Sequence, residues 1–311
     1  MNNINYFTKP KIMRKKIIHI IIIILFFVLS SLYGQTNNYE NYGINQYWGM
    51  GQSGGSTDYF PNSFWINPAL NNDFKYSVST NIAILHDIRI SEISSRFRYG
   101  KKHYFSFGIN YENYGTFDGR DEYGNLTNTF NASQSQYLFG YAIHISNHLS
   151  LGTNIIYLTN SIADSNYSTV NYQYGMLLST DDKINSLGIV KTSFPLENNS
   201  TWRIAFSHQL EHLPLRINID YRLYDDKFDY KNISIGGLFC ISKNFNLLTG
   251  MNFQRFNLQA QNLGAADIFA GLSIGATYLY NNINIGLSLY NYGALGRTTS
   301  LGISYSVKEL N

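Results

Sequence analysis

The feature that most constrains this chain is a period-two alternation of apolar and small or polar residues, repeated in stretches of about ten residues along most of its length. In one stretch Phe105, Phe107, Ile109 and Tyr111 alternate with Ser106, Gly108 and Asn110. In another, Ile283, Ile285, Leu287 and Leu289 alternate with Asn284, Gly286 and Ser288. Phe245, Leu247, Met251 and Phe253 repeat the pattern against Asn246, Gly250 and Asn252. Successive side chains of a strand point to opposite faces, so such a segment has one apolar and one polar face, and a helix cannot hold that register.

Fourteen strand candidates follow: 76–85, 89–99, 103–113, 134–145, 149–159, 171–179, 184–192, 201–209, 215–223, 232–241, 245–256, 266–279, 283–290 and 298–307. Many reach the roughly 9 to 11 residues that cross a bilayer at a tilt, and their number is even, as bacterial barrels require. Composition agrees. Only 14% of the 311 residues are charged and 16% are aromatic, and many of the 26 tyrosines gather near strand ends, as at Tyr99, Tyr104, Tyr278 and Tyr292. The expected fold is therefore all-β: a transmembrane antiparallel barrel of about 14 strands, apolar outside and polar within, rather than a soluble sandwich.

The first 34 residues read as a signal peptide. Lys9, Lys11, Arg14, Lys15 and Lys16 precede the apolar run from Ile20 to Leu29, which is too short to span a bilayer, and Gly34 is a plausible cleavage point. Translation can start at Met1 or Met13. Removing five positive and no acidic charges takes the net charge from +3 to −2, so the basicity is an export signal and not a nucleic-acid footprint. Residues 35–74 form a candidate hatch or lid and 75–311 the barrel. Gly100 to Lys102, Ser146 to His148, Ser242 to Asn244 and Tyr280 to Asn282 are expected as periplasmic turns. The longer polar stretches Tyr114 to Ser133, Asn160 to Val170 and Asp225 to Lys231 are expected as external loops.

Catalytic readings are weak. His208, Glu211 and His212 satisfy an H-x-x-E-H order, but zinc chemistry needs the histidines one helical turn apart, and Pro214 and a strand follow at once. Asp118, Asp121 and Glu122 lack the ligand order of a calcium loop, and Arg120 sits among them. The glycines from Gly49 to Gly55 lack the Lys-Ser/Thr of a phosphate loop. Cys240 is the sole cysteine, which excludes an intramolecular disulfide. Neither an enzyme nor a cofactor site is expected.

Three stretches carry a family resemblance. Phe64 to Leu70, with Asn67, Pro68, Ala69 and Leu70 at its end and Gly54-Gly55 before it, resembles the opening of the PorV/PorQ family of FadL-like barrels. Tyr114 to Asn125 resembles the long early loop of the PorQ branch, and Leu210 to Arg216 a hairpin of the same branch. The run Ile44 to Trp48 departs from the family pattern. The resemblance implies an outer-membrane protein of a Bacteroidetes-type Gram-negative bacterium, working in the type IX secretion system. Its implied partner is a PorZ-like surface protein if PorQ-like, or secreted cargo if PorV-like. A FadL-like channel or carrier for small hydrophobic molecules is the alternative. Finally, Gly302, Tyr305 and Val307 follow the order of a C-terminal signal read by the barrel-assembly machinery.

Overall fold

The computed structural model describes residues 44–70, 74–195, 199–224, 232–254, 269–293 and 296–308. The expected signal peptide, residues 35–43 and the stretch 225–231 lie outside them. Fourteen strands follow in chain order: β1 (Phe74–Leu85), β2 (Ile88–Tyr99), β3 (His103–Arg120), β4 (Leu126–Ser146), β5 (Leu149–Ile162), β6 (Ser165–Ser179), β7 (Asn185–Phe194), β8 (Asn199–Gln209), β9 (Leu215–Tyr224), β10 (Ile233–Cys240), β11 (Phe245–Asn252), β12 (Leu272–Tyr280), β13 (Ile283–Asn291) and β14 (Arg297–Lys308). Each pairs antiparallel with its chain neighbour, and β1 closes on β14 from Phe74↔Lys308 to Leu85↔Thr298. Closure leaves no sheet edge unpaired, the condition for a sheet to cross a bilayer.

Alternation sets which face is which. On β1, Val78, Ile82 and Ile84 stand outward and exposed, while Ser77, Ser79, Asn81 and Ala83 are buried inside. On β3, Phe107 and Ile109 point out, and Ser106 and Asn110 point in. Outward aromatics cover the wall in contact with one another: the rings of Phe97 and Phe105 stack at 5.1 Å, and Phe107 meets Phe139 edge-on at 5.3 Å. An apolar exterior around a polar interior inverts a soluble core and places this barrel in the outer membrane.

The barrel start at Phe74, its end at Lys308 and the tight turns at 100–102, 147–148 and 281–282 share one rim, which is the periplasmic one. Two stretches expected as outer loops are strand instead. The span 114–133 continues β3 and β4 as a hairpin to a tip at 121–125, and 160–170 continues β5 and β6 around Ala163 and Asp164. Beyond the bilayer neither face has to be apolar, so the alternation fades although the ladder continues. A five-residue helix, α1 (Asn45–Gly49), and a 3₁₀ turn at Ser63–Trp65 lie within the barrel.

Candidate functional site: the plugged lumen

Residues 44–70 fill the lumen. All are buried except half-buried Asp58 and exposed Tyr59. The segment turns sharply after α1, where Gly51, Gln52 and Gly54 have φ of 64°, 63° and 119°. At Gly51 a side chain is also excluded by contact, because a β-carbon would lie 2.5 Å from the Met251 nitrogen. The wall is cut to receive this chain. On β3, a β-carbon at Gly108 would sit 2.3 Å from the Trp65 ring, and on β5 one at Gly152 would sit 2.4 Å from the Pro68 carbonyl carbon. The small inward positions read from the alternation are thus a seat for the plug backbone.

Polar groups of the wall then pin it. The Asp220 carboxylate on β9 accepts the backbone N–H of Gly54 at 3.0 Å and of Gly55 at 2.9 Å. Arg203 on β8 lies 3.6 Å from Asp220 and donates to the Tyr47 hydroxyl at 3.0 Å. Arg222 donates to the same hydroxyl at 2.8 Å and to the Gln52 carbonyl at 2.6 Å. Across the lumen the Trp65 indole N–H donates to Glu92 at 3.1 Å. Asn154 donates to the Phe64 carbonyl at 2.8 Å, and Asn45 to the Ser300 carbonyl at 2.6 Å. Apolar contacts complete the seal. Ile44, Tyr47, Phe64, Trp65 and Ile66 cluster with Leu138 and Ile156, and Trp48 packs on Tyr290 and Tyr292 at 5.3 and 5.5 Å.

The stretch Asn67 to Leu70 is part of this lattice. Asn67 Nδ2 donates to the carbonyls of Gly55 at 2.8 Å and Met176 at 3.3 Å, and its Oδ1 accepts the Ala69 N–H at 3.0 Å. Pro68 lies against Gly152 and Gly175, and Arg96 donates to the carbonyls of Leu70 and Pro68. One asparagine thereby ties two turns of the plug to β6, while a buried arginine holds the segment's exit towards β1.

The other positions singled out in the sequence lie elsewhere. Gly302 faces inward against Asn81 and Asn45, whereas Tyr305 is exposed on the outer face, its ring 5.9 Å from that of Tyr76, and Val307 is half-buried near the end of β14. His208 is the penultimate residue of β8 with Nδ1 2.8 Å from Asn185 Oδ1, and Glu211 and His212 sit in the following turn, so these three share no helix face. Among the described residues no group of three His, Cys, Asp or Glu side chains is placed to hold a metal. At the hairpin tip, the Asp121 carboxylate accepts the backbone N–H groups of Tyr123 and Asn125 at 2.9 and 2.8 Å and the Asn125 amide at 2.9 Å. The Asn125 side chain first, and these backbone donors after it, hold this carboxyl below its ordinary value.

A closed 14-stranded antiparallel barrel with an apolar exterior and an N-terminal hatch defines an outer-membrane barrel of the FadL-like fold. Solved structures agree. The chain is similar to the CymD monoaromatic hydrocarbon channel, at a TM-score of 0.60 and 12% identity, over 89% of this chain and 100% of that one. It is similar to the toluene transporter TodX of Pseudomonas putida, at 0.55 and 12%, over 88% and 100%. A FadL homologue of Pseudomonas aeruginosa gives 0.51 and 11%, over 84% and 96%. Identities this low establish the fold alone. No family model matches the sequence, and no curated protein matches it.

Proposed function

We propose that this barrel is a plugged, non-enzymatic scaffold of the type IX secretion apparatus, PorQ-like in type, which holds a PorZ-like surface partner at its outer end and does not conduct through its lumen. The observation that carries this reading is that buried charged side chains of the wall hold the plug's backbone and its Tyr47 hydroxyl. Asp220, Arg203 and Arg222 are at most 3% exposed and are spent on plug and wall. Opening a path means breaking the plug's hydrogen bonds to these buried charged groups, each worth about 1.5–3 kcal/mol. The lumen face of serine, asparagine, arginine and aspartate is also a poor track for an apolar molecule. The resemblance at Tyr114 to Asn125 and at Leu210 to Arg216 supports the PorQ branch. Deleting the protein tests the reading: exported cargo should reach the medium unattached to the cell surface, and cargo still attached would overturn it.

A second reading, a channel or carrier for small hydrophobic molecules, draws on the fold likeness to CymD and TodX, which speaks for it more directly than for secretion. A disulfide between Gly49→Cys and Ser288→Cys, whose β-carbons would lie 3.3 Å apart, with Leu248→Ala to clear the side chain 2.9 Å from the new β-carbon, separates the two readings. Locking the plug should abolish toluene uptake into proteoliposomes if the protein is a carrier. It should leave cargo attachment in cells unchanged if the protein is a scaffold.

A further inference from the structure

A cavity of about 620 Å³ opens at the periplasmic rim, between the plug and the wall near the ends of β12, β13, β14 and β1. That volume lies within the roughly 300–1,000 Å³ of ligand sites. The cavity takes no part in the plug lattice, and neither functional reading uses it.

Three kinds of chemistry meet there. Tyr59, Phe74, Leu279 and Val307 supply apolar surface. Lys183, Lys243 and Lys308 bring three positive charges from separate elements, of which Asp58, 3.8 Å from Lys183, offsets one. Four carboxamides, Asn246, Asn281, Asn282 and Asn284, complete the lining. Asn246 is only 5% exposed and its Nδ2 donates to Thr277 at 3.1 Å, yet its carbonyl oxygen is buried without a hydrogen bond. The carbonyl of Asn284 is buried and unpaired in the same way. The terminal torsion of asparagine is broad, so a modest rotation presents either oxygen to a bound N–H.

Unsatisfied amide carbonyls ask for N–H donors, amide NH₂ groups offer themselves to carbonyls, and the lysines ask for carboxylates. An extended peptide with acidic side chains supplies all three. A fatty carboxylate meets the lysines and the apolar surface but offers no N–H to Asn246 or Asn284. We propose that this rim cavity is a docking site for an acidic, extended peptide segment arriving from the periplasm. The site stands whether the barrel is a scaffold or a carrier.

The test uses the full chain in nanodiscs and a fluorescein-labelled pentapeptide of alternating aspartate and leucine, read by anisotropy. Binding should be at least tenfold tighter than for the same peptide with lysine in place of aspartate, and it should weaken with salt. Lys243→Glu combined with Lys308→Glu should reverse that preference, a gain that misfolding cannot imitate. Asn246→Leu and Asn284→Leu should weaken the peptide while leaving any dodecanoate binding unchanged. Equal affinity for the two peptides would overturn the proposal. So would dodecanoate binding without peptide binding, or peptide binding only after residues 35–43 are deleted.

Discussion

The carboxylate of Asp220, on the wall, receives the backbone N–H of Gly55, in the plug, at 2.9 Å across 165 residues of sequence. Because Arg203 lies beside it, the same carboxylate serves as a counter-ion and as an anchor. Asp220→Ala removes the carboxylate 3.6 Å from the buried Arg203 guanidinium and takes the acceptor from two plug N–H groups. The expected loss is about 3–5 kcal/mol, read as a lower unfolding midpoint in urea. Protease should then cut the plug while the strands stay intact. An unchanged midpoint would mean that the anchor contributes nothing.

Seating depends on the inward glycines. Gly108→Val places a branched side chain where the Trp65 ring lies, so the plug cannot dock although the strand remains a good one. The variant barrel should still form, seen as heat-modifiable migration, with its plug open to protease. Gly100→Ala is the contrasting case. Nothing lies within 4 Å of its β-carbon, and only the φ of 62° is strained, so the expected cost is about 1 kcal/mol with the plug still protected.

The outer belt has a depth dependence. Ile93 is 60% exposed midway along β2, opposite Ile109. Arginine there should destabilise the barrel by about 2–4 kcal/mol in lipid. The same change at Tyr99, at the rim, should cost about 0–1 kcal/mol. Equal losses at the two sites would contradict the membrane placement of the belt.

Strong acid should loosen the hairpin tip. Asp121 has a depressed carboxyl value in the folded state, so its stabilisation is present above the unfolded value near 3.8 and is lost as pH falls through the lower folded value. Protection of the Tyr123 and Asn125 amides, relative to an unstructured peptide at the same pH, should therefore hold at neutral pH and fall below about pH 4. Asp121→Ala should remove it throughout. Persistent protection at low pH would show that the carboxylate does not order the tip.

Assembly offers another test. If Gly302, Tyr305 and Val307 act as the signal read by the assembly machinery, Tyr305→Asp should slow insertion in cells. It should do so more than Tyr76→Asp on the paired strand, whose ring lies 5.9 Å away. Equal slowing would reduce the pattern to an ordinary strand.

Strand identity was legible because one bilayer-facing side chain in two must be apolar, and all fourteen expected strands occur. Where that demand ends, legibility ends with it, and the outer halves of β3 and β4 read as loop. The plug contacts were less visible. Period two marks Asp220, Arg203 and Arg222 as inward, and a charged residue at an inward position was an available signal for a lumen partner. It does not say which plug atom each one meets, because those contacts join segments more than 150 residues apart. Asn67 to Leu70 stood out as a motif, but its work as a tie between two plug turns and β6 emerges only once Gly152 and Gly175 are brought beneath it.

The most direct test of a plug pinned in its barrel is hydrogen exchange of residues 44–70 in nanodiscs, with Gly54 and Gly55 as reporters. Protection comparable to that of β8 and β9, lost in Asp220→Ala, is the expected result. Exchange as fast as in a free peptide would contradict the pinned plug and favour a hatch that opens.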